Sequence, residues 1–203
     1  MSLSYVSYQV MDEPEPGFRE RLVEAIQKHA FRDIDVEGGK DRSIGWCRTG
    51  DVFSTELTWD VLFLDPHVTV SLREDSLKVP PNAFRTHLQR REEEFLRQSG
   101  RDKLSRGERA NIKADVLLQL RRRAIPEIKS YAVEWNTVEG TMRLHTTNKR
   151  IREVFEDLVR ETWGLRILPR APYTAAVDTA DPTMGGTIVD LEPANFVNDL
   201  GVA

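Results

Sequence analysis

The stretch Ser99-Gly100-Arg101-Asp102-Lys103-Leu104-Ser105-Arg106-Gly107-Glu108 holds a helix stop and a helix start in immediate succession. Gly100 can take the left-handed backbone conformation that ends a helix, and Ser105 followed three positions later by Glu108 is a reciprocal capping box. Upstream, Pro80-Pro81-Asn82 opens a helix running to about Ser99, with Phe84, Leu88 and Phe95 along one side. Downstream, Ile112, Val116, Leu117 and Leu120 stripe a second helix that continues to Ala124 before Pro126. The pattern predicts an antiparallel helical hairpin joined by Gly100 to Leu104, each arm about 30 Å long at 1.5 Å per residue.

On the N-terminal side of the hairpin, Ser4 to Val10 alternates as a strand, and the Pro-rich acidic run Asp12 to Pro16 ends it. Phe18, Leu22, Ala25, Ile26 and His29 then stripe a helix, Gly38-Gly39 marks a loop, and Ser43 to Cys47 and Val61 to Leu72 read as two strands, the second bent at Asp65-Pro66. On the C-terminal side, Tyr131, Val133 and Trp135 alternate on a strand that turns at Val138-Glu139-Gly140 into Met142 to Thr146. An amphipathic helix from Asn148 to Trp163 and a short strand at Leu165 to Leu168 follow. The expected fold is α+β: a strand-helix-strand-strand unit over 1–79, the inserted hairpin over 80–125, and a strand-strand-helix-strand unit over 126–169. Residues 170–203, rich in Ala, Thr, Pro and Gly, read as an extended acidic tail.

Charge is distributed against the average. The chain carries a formal net charge of −4, yet Arg73 to Arg123 holds 14 Lys and Arg against 8 Asp and Glu, leaving the remainder at −10. Opposed charge of this kind marks one surface for a polyanion and keeps the others clear of it. Arg106, Arg109 and Lys113 fall at i, i+3 and i+7 on one side of the second helix, in part opposite its apolar stripe and spanning about 10 Å of axis. Arg101 and Lys103 at the tip, with Arg121, Arg122 and Arg123 at the far end, extend the track. Asp102, Glu108 and Asp115 are interspersed, so a solvated helix face laced with ion pairs is the competing reading. Arg90, Arg91 and Arg97 are peripheral because Glu92, Glu93 and Glu94 sit among them.

The only aromatics on the hairpin, Phe84 and Phe95, lie on its apolar side, so base stacking is not indicated and contact with a duplex backbone is favoured. Trp46, Trp59, Trp135 and Trp163 read as packing residues. Cys47 is the single cysteine, which rules out an intramolecular disulfide and reads as a buried small hydrophobe in a cytoplasmic protein. His29, His67, His87 and His145 lack metal-ligand spacing, His29 and His87 reading as core or boundary residues, and no cofactor or metal is expected. No apolar run is long enough to span a membrane. Glu127-Ile128-Lys129, with Asp115 as a second acid, is the one nuclease-like pattern, a triplet common by chance.

The residues also resemble a known family. Gly45-Trp46, Leu72-Arg73, Lys78-Val79-Pro80, Gly100-Arg101-Asp102-Lys103-Leu104-Ser105-Arg106, Glu108, Ile112-Lys113, Val116, Leu120, Arg123-Ala124, Trp135, Gly140 and Lys149 are similar to the recombination-associated protein RdgC family, over about Ser4 to Pro169. The resemblance implies a nucleoid-associated homodimer that encircles double-stranded DNA with little sequence preference, restrains the recombinase RecA and modulates recombination by occupying DNA. The residues carry no support for the exonuclease label also attached to the family. Where the family commonly shows Leu-Pro-Arg-Ala-Phe, this chain has Leu120-Arg121-Arg122-Arg123-Ala124-Ile125, and the segment after Tyr173 matches poorly. The expectation is a non-enzymatic duplex-DNA binder. A protein-interaction module of the same fold is the alternative, and a metal-dependent nuclease the least favoured.

Overall fold

The computed structural model describes residues 4–12 and 17–170. Its strands form one seven-stranded antiparallel sheet, in the order β2-β4-β5-β6-β1-β7 with the short β3 also on β4. In chain order these are β1 (Val6–Val10), α1 (Phe18–Lys28), β2 (Arg42–Cys47), α2 (Trp59–Leu62), β3 (Phe63–Leu64), β4 (His67–Ser76), α3 (Pro81–Ser99), α4 (Arg106–Arg123), β5 (Glu127–Asn136), β6 (Thr141–Leu144), α5 (Lys149–Trp163) and β7 (Ile167–Pro169). The α+β class and the inserted hairpin are as the sequence indicates. The two sheet-and-helix units share their sheet: β1 lies between β6 and β7, and β4 pairs with β5 over ten residues from His67↔Asn136 to Ser76↔Glu127. The acidic tail expected over 170–203 lies, beyond Arg170, outside the described residues.

Strand alternation puts Val68, Val70 and Leu72 of β4, Val133 and Trp135 of β5, Met142 and Leu144 of β6 and Tyr8 of β1 on one face. Leu22 and Ile26 of α1 and Ile151, Phe155, Leu158 and Val159 of α5 cover that face and complete the core. Trp46 stacks on Trp163 with centroids 5.2 Å apart and meets Phe155 edge-on, while its indole N–H donates to Thr162 at 2.9 Å. Trp46, Trp135 and Trp163 are thus packing residues, whereas Trp59 is 42% exposed and stacks on Phe63. Gly45 is required by a close approach, since a Cβ there would come within 2.5 Å of the Phe31 Cα.

The single bent strand expected over Val61 to Leu72 is instead three elements. A helical turn, α2, buries Leu62, the two-residue β3 follows, and β4 starts after Pro66 and runs on to Ser76. The extension carries Arg73, Glu74 and Asp75, all buried. Arg73 donates to both oxygens of Asp75 at 2.7 and 2.6 Å and to the Val52 carbonyl at 2.8 Å, and lies 3.9 Å over the Phe31 ring. Glu74, on the other face, accepts from Arg42 at 3.2 Å and Arg150 at 2.6 Å. Arg73 and Asp75 are buried as a pair, whereas Glu74 is matched by two guanidinium groups that stay half-exposed. Cys47, buried beside this network, is a small core residue whose thiol burial pushes up to about 11, with Arg73 acting in the opposite direction.

Candidate nucleic-acid interface

The hairpin stands apart from the body. α3 and α4 pack mainly against each other, α3 buries no residue, and α4 buries only Ile112 and Val116. Its turn forms as the spacing requires: Gly100 takes φ 64°, Ser105 Oγ accepts from the Glu108 amide at 3.2 Å, and the Glu108 carboxylate accepts from the Ser105 amide at 2.9 Å. The other Glu108 oxygen accepts from Arg101, so that guanidinium pins the tip. With Arg101 as the main cause and the Ser105 amide next, the Glu108 carboxyl is held down at about 2.

The structure divides the eight candidate cations into two sets. Arg101, Arg109, Arg121 and Arg122 are engaged within the chain: Arg109 with Glu92 of α3 at 3.3 Å, Arg121 with Asp41 at 3.0 Å and the Gly39 carbonyl at 2.9 Å, and Arg122 with both oxygens of Glu37 at 2.7 and 2.6 Å. Arg121 and Arg122 therefore fasten the foot of α4 to the loop between α1 and β2. That contact lowers the Glu37 carboxyl and raises Arg122. Lys103, Arg106, Lys113 and Arg123 are exposed and have no carboxylate within ion-pair reach among the described residues, and the same holds for Arg85 and Arg97 of α3.

The stripe of Arg106, Arg109 and Lys113 borders the helix contact rather than opposing it, as the Arg109–Glu92 pair shows. At 100° per residue these three lie within about 60° of arc, flanking Ile112 and Val116. His87, read as a core or boundary residue, is exposed, and with Arg90 and Arg91 it lines a groove shared with Arg123. The available signal was the spacing of positions 87, 90 and 91, one turn of a single face.

At the foot of the hairpin Glu127 is held between Lys78 and Lys129, which lower its carboxyl, Lys78 being the larger cause. A carboxylate so engaged is tied into an ion-pair cluster, and among the described residues no group of three or more His, Cys, Asp or Glu is placed to hold a metal ion. No helix of the described residues is long and apolar enough to cross a membrane. No protein-family model matches the chain, and no curated protein matches it.

Proposed function

We propose that the chain is a non-enzymatic protein that binds double-stranded DNA, as the resemblance to the RdgC family implies, and that it holds the backbone phosphates on its helical hairpin. The observation that carries this reading is the set of exposed, carboxylate-free cations, Lys103, Arg106, Lys113 and Arg123, on an element that contributes little to the core. A cation with no intrachain partner gives up only hydration when a phosphate arrives, whereas Arg121 and Arg122 would first have to leave Asp41 and Glu37. With the hairpin's aromatics turned to its apolar side, contact is with the backbone and carries little sequence preference. In this reading the protein acts as a nucleoid-associated homodimer and influences a recombinase by occupying its substrate.

A polarisation titration with a labelled duplex tests it. About four neutralised phosphates give a slope of log K against log salt of about −3 to −4. No binding at 50 mM salt would defeat the reading.

A second reading, self-association or partner binding through the hairpin without DNA, is favoured by the absence of any buried residue in α3 and by the 91% exposure of Ile125. Reversing Arg106, Arg109 and Lys113 to Glu separates the two. The DNA reading expects lost duplex binding with unchanged mass by light scattering, and the interaction reading a changed mass.

A further inference from the structure

Two helices that pack side by side normally meet along an apolar seam, with residues at i, i+3, i+4 and i+7 of each arm facing the other. Near the foot of the hairpin the flank of that seam is charged and exposed. α3 offers His87, Arg90, Arg91 and Glu94 at that spacing. α4 answers with Val116, Gln119, Leu120 and Arg123, again at that spacing, so that antiparallel order sets His87 toward the Arg123 end and Glu94 toward the Val116 end. The seam does not close, and a groove of about 290 Å³ remains between the helices.

The charges around that groove do not balance. Glu94 is its only acid, and it already accepts from Arg90 at 3.2 Å and Arg91 at 3.3 Å, both of which lower its carboxyl. Arg123 has no carboxylate among the described residues. Three guanidinium groups, an imidazole and an amide therefore surround one carboxylate, over a floor made by Val116 and Leu120. Like charges gathered one turn apart along the rim of one groove repel each other at a cost to stability. A tetrahedral oxyanion answers the imbalance: its oxygens accept charge-assisted hydrogen bonds from forked guanidinium donors in the geometry that arginine favours.

We propose that this groove is a seat for a phosphate group. For its natural ligand, a backbone phosphate at the foot of the hairpin, the proposal rests on the DNA reading; the seat itself rests on the groove alone. Free phosphate shares the chemistry, so the experiment has two arms. The His87 ring resonances of the full chain are followed by NMR while a short duplex, or inorganic phosphate, is added to the wild type and to Arg123→Gln, Arg91→Gln and Arg123→Lys. These side chains are solvent-facing, and retained dispersion of the wild-type spectrum confirms that each variant is folded.

With the duplex, His87 shifts, Arg123→Gln reduces the shift and flattens the salt slope by about 0.9, and Arg123→Lys restores the slope. Shifts with inorganic phosphate alone uphold the seat and reassign its ligand to the free ion. Duplex binding that leaves His87 unmoved, with Arg123→Gln binding as the wild type does, overturns the seat while leaving the DNA reading intact. Failure of both ligands to move His87 in a protein that also binds no duplex overturns both.

Discussion

The body and the hairpin treat charge in opposite ways. In the body, Arg73, Glu74 and Asp75 sit near the C-terminal end of β4, nearly inaccessible, and every one is matched by a partner from its own or a neighbouring element. In the hairpin, Lys103, Arg106, Lys113 and Arg123 face solvent unmatched, and α3 buries nothing. The body's buried charges are all matched within the described residues and its core is continuous. The hairpin gathers its unmatched cations on helices that bury almost nothing, and that surface points to something outside the chain. Local net charge alone does not make this distinction, since Arg73 adds to the same excess as Arg106 and serves the fold.

The comparison can be broken first in the core. Phe155→Ala should destabilise by about 3–5 kcal/mol, because it empties a site fully enclosed by Tyr8 and Trp46. Phe95→Ala, partly buried on α3, should cost about 1 kcal/mol. Equal losses in urea unfolding would mean that the hairpin is as much a core element as the sheet. Arg73→Ala should cost about 3 kcal/mol by stranding the Asp75 carboxylate, while leaving duplex affinity unchanged. An affinity drop at constant stability would move Arg73 to the functional side of the division.

Smaller effects sharpen the picture at the hairpin tip. Ser105→Ala removes one half of the capping box and should lower stability by about 1 kcal/mol. Glu108 supplies the pH dependence. Its folded carboxyl lies at about 2 against an ordinary 4.5, so its stabilisation of the tip is present above pH 4.5 and is lost as pH falls toward 2. The Glu108 side-chain carbon should titrate at about 2 by NMR, and closer to the ordinary carboxylate value in Arg101→Gln, where the Ser105 amide leaves part of the depression in place.

Much of this was legible in the sequence because the punctuation was local. Gly100, the Ser105 and Glu108 box, Pro81 at the start of α3 and Gly164 after α5 act within a turn of their own positions, and the helices end where they indicate. The short-range pattern failed at Val61 to Leu72, where Val61 and Leu62 complete a helical turn and only Phe63 and Leu64 of the same apolar run are extended. It failed again over Arg73 to Asp75, where charged residues continue a buried strand because partners as distant as Arg150 reach them. Among the candidate site residues, spacing placed Arg106, Arg109 and Lys113 on one side of α4. It carried no information on Arg121 and Arg122, whose partners Asp41 and Glu37 lie some 80 positions away in the chain.

The division between a body with internally paired buried charges and an outward-facing hairpin is tested most directly by charge removal. Lys103, Arg106, Lys113 and Arg123 are changed together to Gln, and, as a control, so are the body's Lys28, Arg32 and Lys40, which also have no carboxylate within ion-pair reach among the described residues. Duplex affinity is then measured across a salt series. The hairpin variant should lose most of its salt slope, about 3 to 4 units at 0.9 per phosphate, while the body variant keeps the wild-type slope. A body variant that loses as much slope as the hairpin variant, or a hairpin variant that binds as the wild type does, would contradict the division.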